Sequence, residues 1–177
     1  MARNDYRIAD QQQPHFLTST VVGWLPVFTR PEAAQILFNS WRFLQTHAGL
    51  KLFAYVVLEN HIHWIASAPN LSHELARFKS FTARQLIDLL ESSGAETLLE
   101  QLRYFKLRHK SEQDYQLWQE GSKSKVIESD EVMWQKVEYI HNNPVKRGYV
   151  DEPAHWRWSS ARSYAKQGGL VDVCTDW

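Results

Sequence analysis

Two histidines, His61 and His63, stand two apart inside the apolar stretch from Lys51 to Ala68. On a strand, a period of two sends both imidazoles to one face. There they can share one divalent ion and leave coordination positions open for substrate and water. Further along, in Val137-Glu138-Tyr139-Ile140-His141-Asn142-Asn143-Pro144, Tyr139 and Asn143 are four apart and share one helix face. The side-chain oxygen of Asn143 would make a hard third ligand, with Tyr139 one turn away. A phenol is a poor nucleophile unless a cation or base helps it lose its proton, and a neighbouring ion would do that. Each feature also has an ordinary reading. Strand histidines are often packed or solvent-facing, a helical tyrosine is usually core or interface, and Asn before Pro most simply stops a helix. His141 and Asn142 point elsewhere on the helix and are assigned no chemistry.

These groups need a frame. His15 to Gly23 is rich in β-branched residues and reads as a strand closed by glycine. Pro31 to His47 has helical apolar spacing and stops at Gly49. Lys51 to Leu58 and His61 to Ala68 read as two strands of a hairpin linked by Glu59-Asn60. A helix follows from about Ser72, read as its N-cap, to Leu90. Ala95 to Lys110 is ambiguous, and Tyr115 to Gln119 and Ser124 to Ile127 could add a strand or two. Asp130 reads as the cap of a last helix that ends where Pro144 follows Asn143. The order β-α-β-β-α-β plus one helix predicts an α+β, ferredoxin-like split βαβ antiparallel sheet. Helices would cover one face, with an additional C-terminal helix carrying the tyrosine. One domain is expected over 1–177, with a core of about 15–150 and a C-terminal extension over 151–177.

Composition narrows the class. The chain has 177 residues, 44% hydrophobic and 23% charged, which is ordinary for a globular domain. Its longest uninterrupted apolar run, Leu52 to Leu58, is too short to span a bilayer, and its first residues lead into no signal-like stretch. The one cysteine, Cys174, can form neither an internal disulfide nor a cysteine zinc cluster, so a reducing cytoplasm is expected. Twenty basic and twenty acidic residues cancel, which argues against a bulk electrostatic nucleic-acid binder. Local patches differ: Arg103, Lys106, Arg108 and Lys110 sit together without an acid, interleaved with Tyr104 and Phe105. Lys146, Arg147, Arg157, Arg162 and Lys166 cluster near Trp156 and Trp158. Cations beside aromatics suit stacked bases on a phosphate backbone.

Taken together these residues resemble a known family. Asn60-His61-Ile62-His63 after an apolar strand resembles the histidine-hydrophobic-histidine motif of the HUH single-tyrosine transposases. The string from Tyr139 through Asn143-Pro144-Val145-Lys146-Arg147-Gly148-Tyr149-Val150, followed by Trp158-Ser159-Ser160 and Tyr164, looks like their REP-associated subgroup in bacteria. The resemblance runs from about His15 to Tyr164. Glu59 departs from it, standing where a proline commonly precedes the Asn-His, and 112–125 fits it poorly.

The resemblance implies Tyr139 as nucleophile, and His61, His63 and Asn143 as ligands of Mg²⁺ or Mn²⁺. The implied substrate is single-stranded DNA with hairpin or palindromic repeat ends, cut and rejoined through a 5′-phosphotyrosine. Arg103, Lys106, Arg108, Lys110, Lys146 and Arg147 are the expected DNA contacts, with Arg77 and Arg84 as possible helpers and Trp64, Trp118 or Trp156 as stacking candidates. A homodimer with the tyrosine donated across it and a monomer acting in cis are equally compatible. Imidazole ligands imply loss of the metal near pH 6.5 or below. The alternatives are a nickase of the same chemistry for replication or housekeeping, a nucleic-acid-binding module of the same fold without catalysis, and an unrelated metal-dependent hydrolase.

Overall fold

In a computed structural model, which describes residues 12–121 and 123–177, a four-stranded antiparallel sheet has the order β2-β3-β1-β4. The strands are β1 (His15–Thr20), β2 (Lys51–Val57), β3 (His61–Ser67) and β4 (Lys123–Val126). The helices are α1 (Pro31–Ala48), α2 (Leu71–Ser92), α3 (Glu96–Tyr104), α4 (Asp130–Lys146) and the short α5 (Ala161–Tyr164). This is the expected α+β, split βαβ order.

Every residue of β3 is buried, because the sheet is covered on both sides. Leu17, Tyr55, Val57, Ile62 and Trp64 face α1 and α2, where Trp41 stacks on Phe78 with ring centroids 5.6 Å apart. Phe53, Ala54, Val56, Leu58 and Ile65 face the other way, onto Met133, Val137 and Ile140 of α4. A register shift between Leu52 and Ala54 lets neighbours Phe53 and Ala54 join the same cluster. The tyrosine helix thus lies on the side of the sheet opposite α1 and α2.

Several boundaries differ from the sequence expectations, each for a local reason. β1 ends at Thr20, and Val22–Trp24 forms a 3₁₀ turn. Asn70, not Ser72, caps α2, its side chain accepting from the His73 N–H. Ser129, not Asp130, caps α4 in the same way, through the Val132 N–H. Pro144 does not end α4. The helix runs to Lys146 because Asn143 still accepts from the Arg147 N–H at 3.2 Å, and Pro144 accepts from the Tyr149 N–H at 3.0 Å. From 115 to 119 there is only a bridge between Val21 and Trp118.

The 151–177 extension is part of the fold. The Val57 N–H donates to Trp158 O at 2.8 Å and the Ser160 N–H to Tyr55 O at 3.0 Å, so this segment pairs with the outer edge of β2. Further on, the Cys174 N–H donates to Leu52 O, and Trp177 packs on Trp134 with centroids 4.9 Å apart. Among the described residues no helix is long and apolar enough to cross a membrane.

Candidate active site

The site begins with strand register. β1 pairs with β3 so that Thr18 lies opposite His63 and Thr20 opposite His61. All four side chains therefore share the α4 side of the sheet. The two imidazoles meet edge to face with centroids 4.9 Å apart, and both are buried. Burial pushes His61 down to about 4 and His63 to about 3, helped by the positive charge of Arg147. Both are neutral at physiological pH, as metal ligands must be.

A hydrogen bond also fixes which nitrogen of His61 is free. Asn60 Nδ2 donates to Trp24 O at 3.1 Å, which turns its Oδ1 toward His61 Nδ1 at 2.6 Å. His61 must then carry its proton on Nδ1, leaving Nε2 a bare lone pair. His63 Nδ1 lies 2.9 Å from Thr18 Oγ1, which leaves Nε2 available there as well when Nδ1 donates. This donor set fits a divalent ion. Burial thus holds both imidazoles below the ordinary histidine value from which the sequence expectation of metal loss began.

α4 delivers the remaining residues. The Tyr139 ring, 39% exposed, stands edge-on to His63 with centroids 5.4 Å apart, and edge-on to Phe16 at 5.8 Å. Asn143, one turn on and buried, accepts from Arg147 Nε at 3.2 Å. Arg147 in turn donates to Glu59 Oε1 at 2.9 Å, while Glu59 Oε2 is buried with no hydrogen-bond partner among the described residues. Among the described residues no three His, Cys, Asp or Glu side chains group closely enough to hold a metal ion, so Glu59 does not complete the histidine pair. Glu59, the departure from the family motif, is thus tied to the site through Arg147.

The expected DNA contacts divide. Lys146 is exposed, with Nζ 5.8 Å from the Tyr139 ring centre, and Arg147 sits beside the histidines. Arg103 stacks its guanidinium over Tyr115, Lys106 is held by the carbonyls of Lys110 and Gln113, and Lys110 pairs with Glu120. Arg108 is exposed. This basic loop docks near the site through Phe105, whose ring packs against Gly23 so closely that a Cβ there would fall 2.4 Å from it. Arg77 and Arg84 are on α2, across the sheet, paired with Glu74 and Asp88. Trp64 and Trp118 are buried, and Trp118 donates to Thr82, so neither can stack on a base. Trp156 donates to Val57 O and packs with Trp158 as part of the C-terminal docking.

Four residues escaped the sequence reading. Thr18 is legible only once the strand register is known. Lys136, three residues before Tyr139 on α4, places Nζ 5.7 Å from the Tyr139 ring and 5.0 Å from Phe16, and the helical i, i+3 spacing would have found it. Lys123 lies opposite Thr18 and Lys125 opposite Phe16, so both extend the histidine face to the edge of the sheet. A groove of about 1050 Å³ between α2 and 110–121 includes none of His61, His63, Tyr139 or Asn143 in its walls.

A paired imidazole rung on a central strand is thus faced by a tyrosine from a helix on the same side. No family model matches the chain. A Haemophilus influenzae protein provisionally assigned as a REP-associated tyrosine transposase is 26% identical over 118 residues, which is 64% of this chain and 60% of that protein. The chain thus spans about three fifths of the length of this curated relative. A REP-associated tyrosine transposase solved bound to a REP hairpin has the same fold, with TM-score 0.63 and 19% identity over 95% of this chain and 93% of that one. A provisionally assigned transposase from Deinococcus radiodurans R1 aligns at TM-score 0.44 and 21% identity, over 73% and 88%. The chain resembles the REP-associated tyrosine transposases in sequence and in fold.

Proposed function

We propose that the chain is a metal-dependent tyrosine transposase that cleaves and rejoins single-stranded DNA carrying hairpin or palindromic repeat ends, in the bacterial cytoplasm. The observation that carries this reading is Tyr139 standing edge-on to a neutral, hydrogen-bond-oriented histidine of the same chain. His61, His63 and Asn143 would hold Mg²⁺ or Mn²⁺, which supplies charge withdrawal from a non-bridging oxygen of the scissile phosphate.

The chain's own groups do the rest. Asn60 holds His61 in the ligating tautomer, and Thr18 orients the His63 ring. Lys136 and Lys146 flank the Tyr139 ring, where their positive charge would offset the negative charge gathering on the phosphate as the phenol attacks. The phenolic oxygen forms a bond to phosphorus as the 3′ oxygen leaves, giving a 5′-phosphotyrosine and a free 3′-hydroxyl. A second 3′-hydroxyl reverses the step onto new DNA. One ester replaces another, so no nucleotide hydrolysis is needed. Arg108, Lys146 and Arg147 are the cations best placed to meet the backbone.

The test is a labelled single-stranded hairpin oligonucleotide incubated with the protein in Mn²⁺. The expected product is a denaturant-resistant adduct on Tyr139. Binding without an adduct under any divalent ion would leave a nucleic-acid-binding module. Cleavage without an adduct would point to water as the nucleophile.

A further inference from the structure

The turn between β1 and α1 puts an unaccounted aromatic at the rim of the site. Trp24 is 55% exposed, yet its ring lies edge to face with His61 at a centroid distance of 5.5 Å. Its backbone is fixed on both sides. Trp24 has φ +55°, a conformation bulky residues seldom adopt, and its carbonyl is held by the Asn60 side chain that also orients His61. Its neighbour Gly23, at φ +61°, has no room for a side chain because the Phe105 ring fills the space. Phe105 belongs to the basic segment running to Arg108 and Lys110. One turn therefore joins a histidine of the site, an exposed indole and a cationic loop.

Trp41, Trp64 and Trp118, which pack the interior, are covered. The indole instead presents a large flat surface to solvent, beside the place where a phosphate would be held and at the start of a run of positive charge. That combination suits a nucleobase, whose π-face stacks on aromatics whatever its identity, with the backbone continuing toward cations.

We propose that Trp24 is the stacking platform for a base flanking the scissile phosphate, so that the unpaired strand leaves the His61 end of the site over the indole and toward the Phe105–Lys110 loop. This rests on the reading that the site handles single-stranded DNA. On the opposite flank, Lys136, Lys123 and Lys125 offer charge, so that side would meet the backbone where the Trp24 side meets a base.

The test places 2-aminopurine at successive positions of the hairpin oligonucleotide and follows its fluorescence on binding to metal-free wild type, Trp24→Ala and Trp24→Phe. Thermal unfolding serves as a check of the fold. Both substitutions keep the Trp24 carbonyl that orients Asn60. The expected result is quenching at one position beside the cleavage point, lost in the alanine variant and largely kept in the phenylalanine variant. An abasic nucleotide at that position should weaken wild-type binding roughly tenfold and leave Trp24→Ala binding unchanged. Equal quenching and an equal abasic penalty in wild type and Trp24→Ala would overturn the proposal. If wild type forms the Tyr139 adduct while the quench is independent of Trp24, this inference fails and the proposed activity stands. If the quench depends on Trp24 but no adduct forms, the platform stands and the cleavage reading fails.

Discussion

Tyr139 and His63 meet within one chain, ring edge toward ring at 5.4 Å between centroids and 68° between planes. The helix bearing the phenol is packed on the same sheet through Met133, Val137 and Ile140. A tyrosine acting in cis needs no second protomer to complete the site. Mixing a His61→Ala/His63→Ala chain with a Tyr139→Phe chain is therefore expected to give no more covalent adduct than either alone. Recovery of the adduct in the mixture would show that the tyrosine is donated across a dimer.

Tyr139→Phe removes one oxygen from a ring that is 39% exposed. Stability should change by less than about 0.5 kcal/mol, as at other surface positions. DNA affinity should hold, and adduct formation should disappear. Normal cleavage by this variant would assign the attack to another group.

Thr18→Val keeps the shape of the residue and deletes the oxygen that bonds His63 Nδ1 and orients its ring. Loss of such an outer partner is expected to weaken Mn²⁺ binding by roughly 10–100-fold. Titration calorimetry of the two proteins measures this directly, and equal affinities would remove Thr18 from the site.

Acid should weaken the fold through its buried histidines. Burial holds His61, His63 and His141 at about 4, 3 and 4, below the ordinary 6.5. As pH falls, the unfolded chain takes up these protons first. Their stabilising effect is complete above pH 6.5 and drains as the pH drops toward 4 and below. His141, which bonds Ser160 Oγ at 2.8 Å, should alone account for about 3 kcal/mol of that loss. His141→Gln should flatten the fall in unfolding temperature between pH 6.5 and 4, and an unchanged slope would assign the loss to other groups.

Lys136→Met should leave the fold in place, since the stem of the side chain still covers Phe16, while removing one of two cations near the phenol. Slower adduct formation, with Mn²⁺ affinity unchanged or slightly raised, is the expected pattern in single-turnover assays. Wild-type rates would show that Lys136 only packs.

What could be read in the sequence followed from short periods. His61 and His63 share a face because strands repeat every two residues, and Tyr139 and Asn143 share one because helices repeat near four. Pro144 misled as a stop because the penalty proline imposes on its neighbour is local, and α4 is held from outside by its packing on β2 and β3. Trp24 and Thr18 stayed hidden for another reason. One depends on an unusual turn and the other on a register between strands more than forty positions apart. The continuous apolar character of β2 and β3 indicates burial on both sides, but does not tell which helix takes which side.

The pairing of Trp158 and Ser160 with the rim of β2 also sets an order of events. During synthesis the His61–His63 hairpin emerges long before α4 or its edge partner exists. At typical ribosomal speeds of roughly 5–20 residues per second, the delay is on the order of ten seconds. For that interval the nascent chain holds its imidazoles without a phenol and keeps an open strand rim. The phenol and the cover for that strand rim are acquired together, once the segment through Ser160 has emerged.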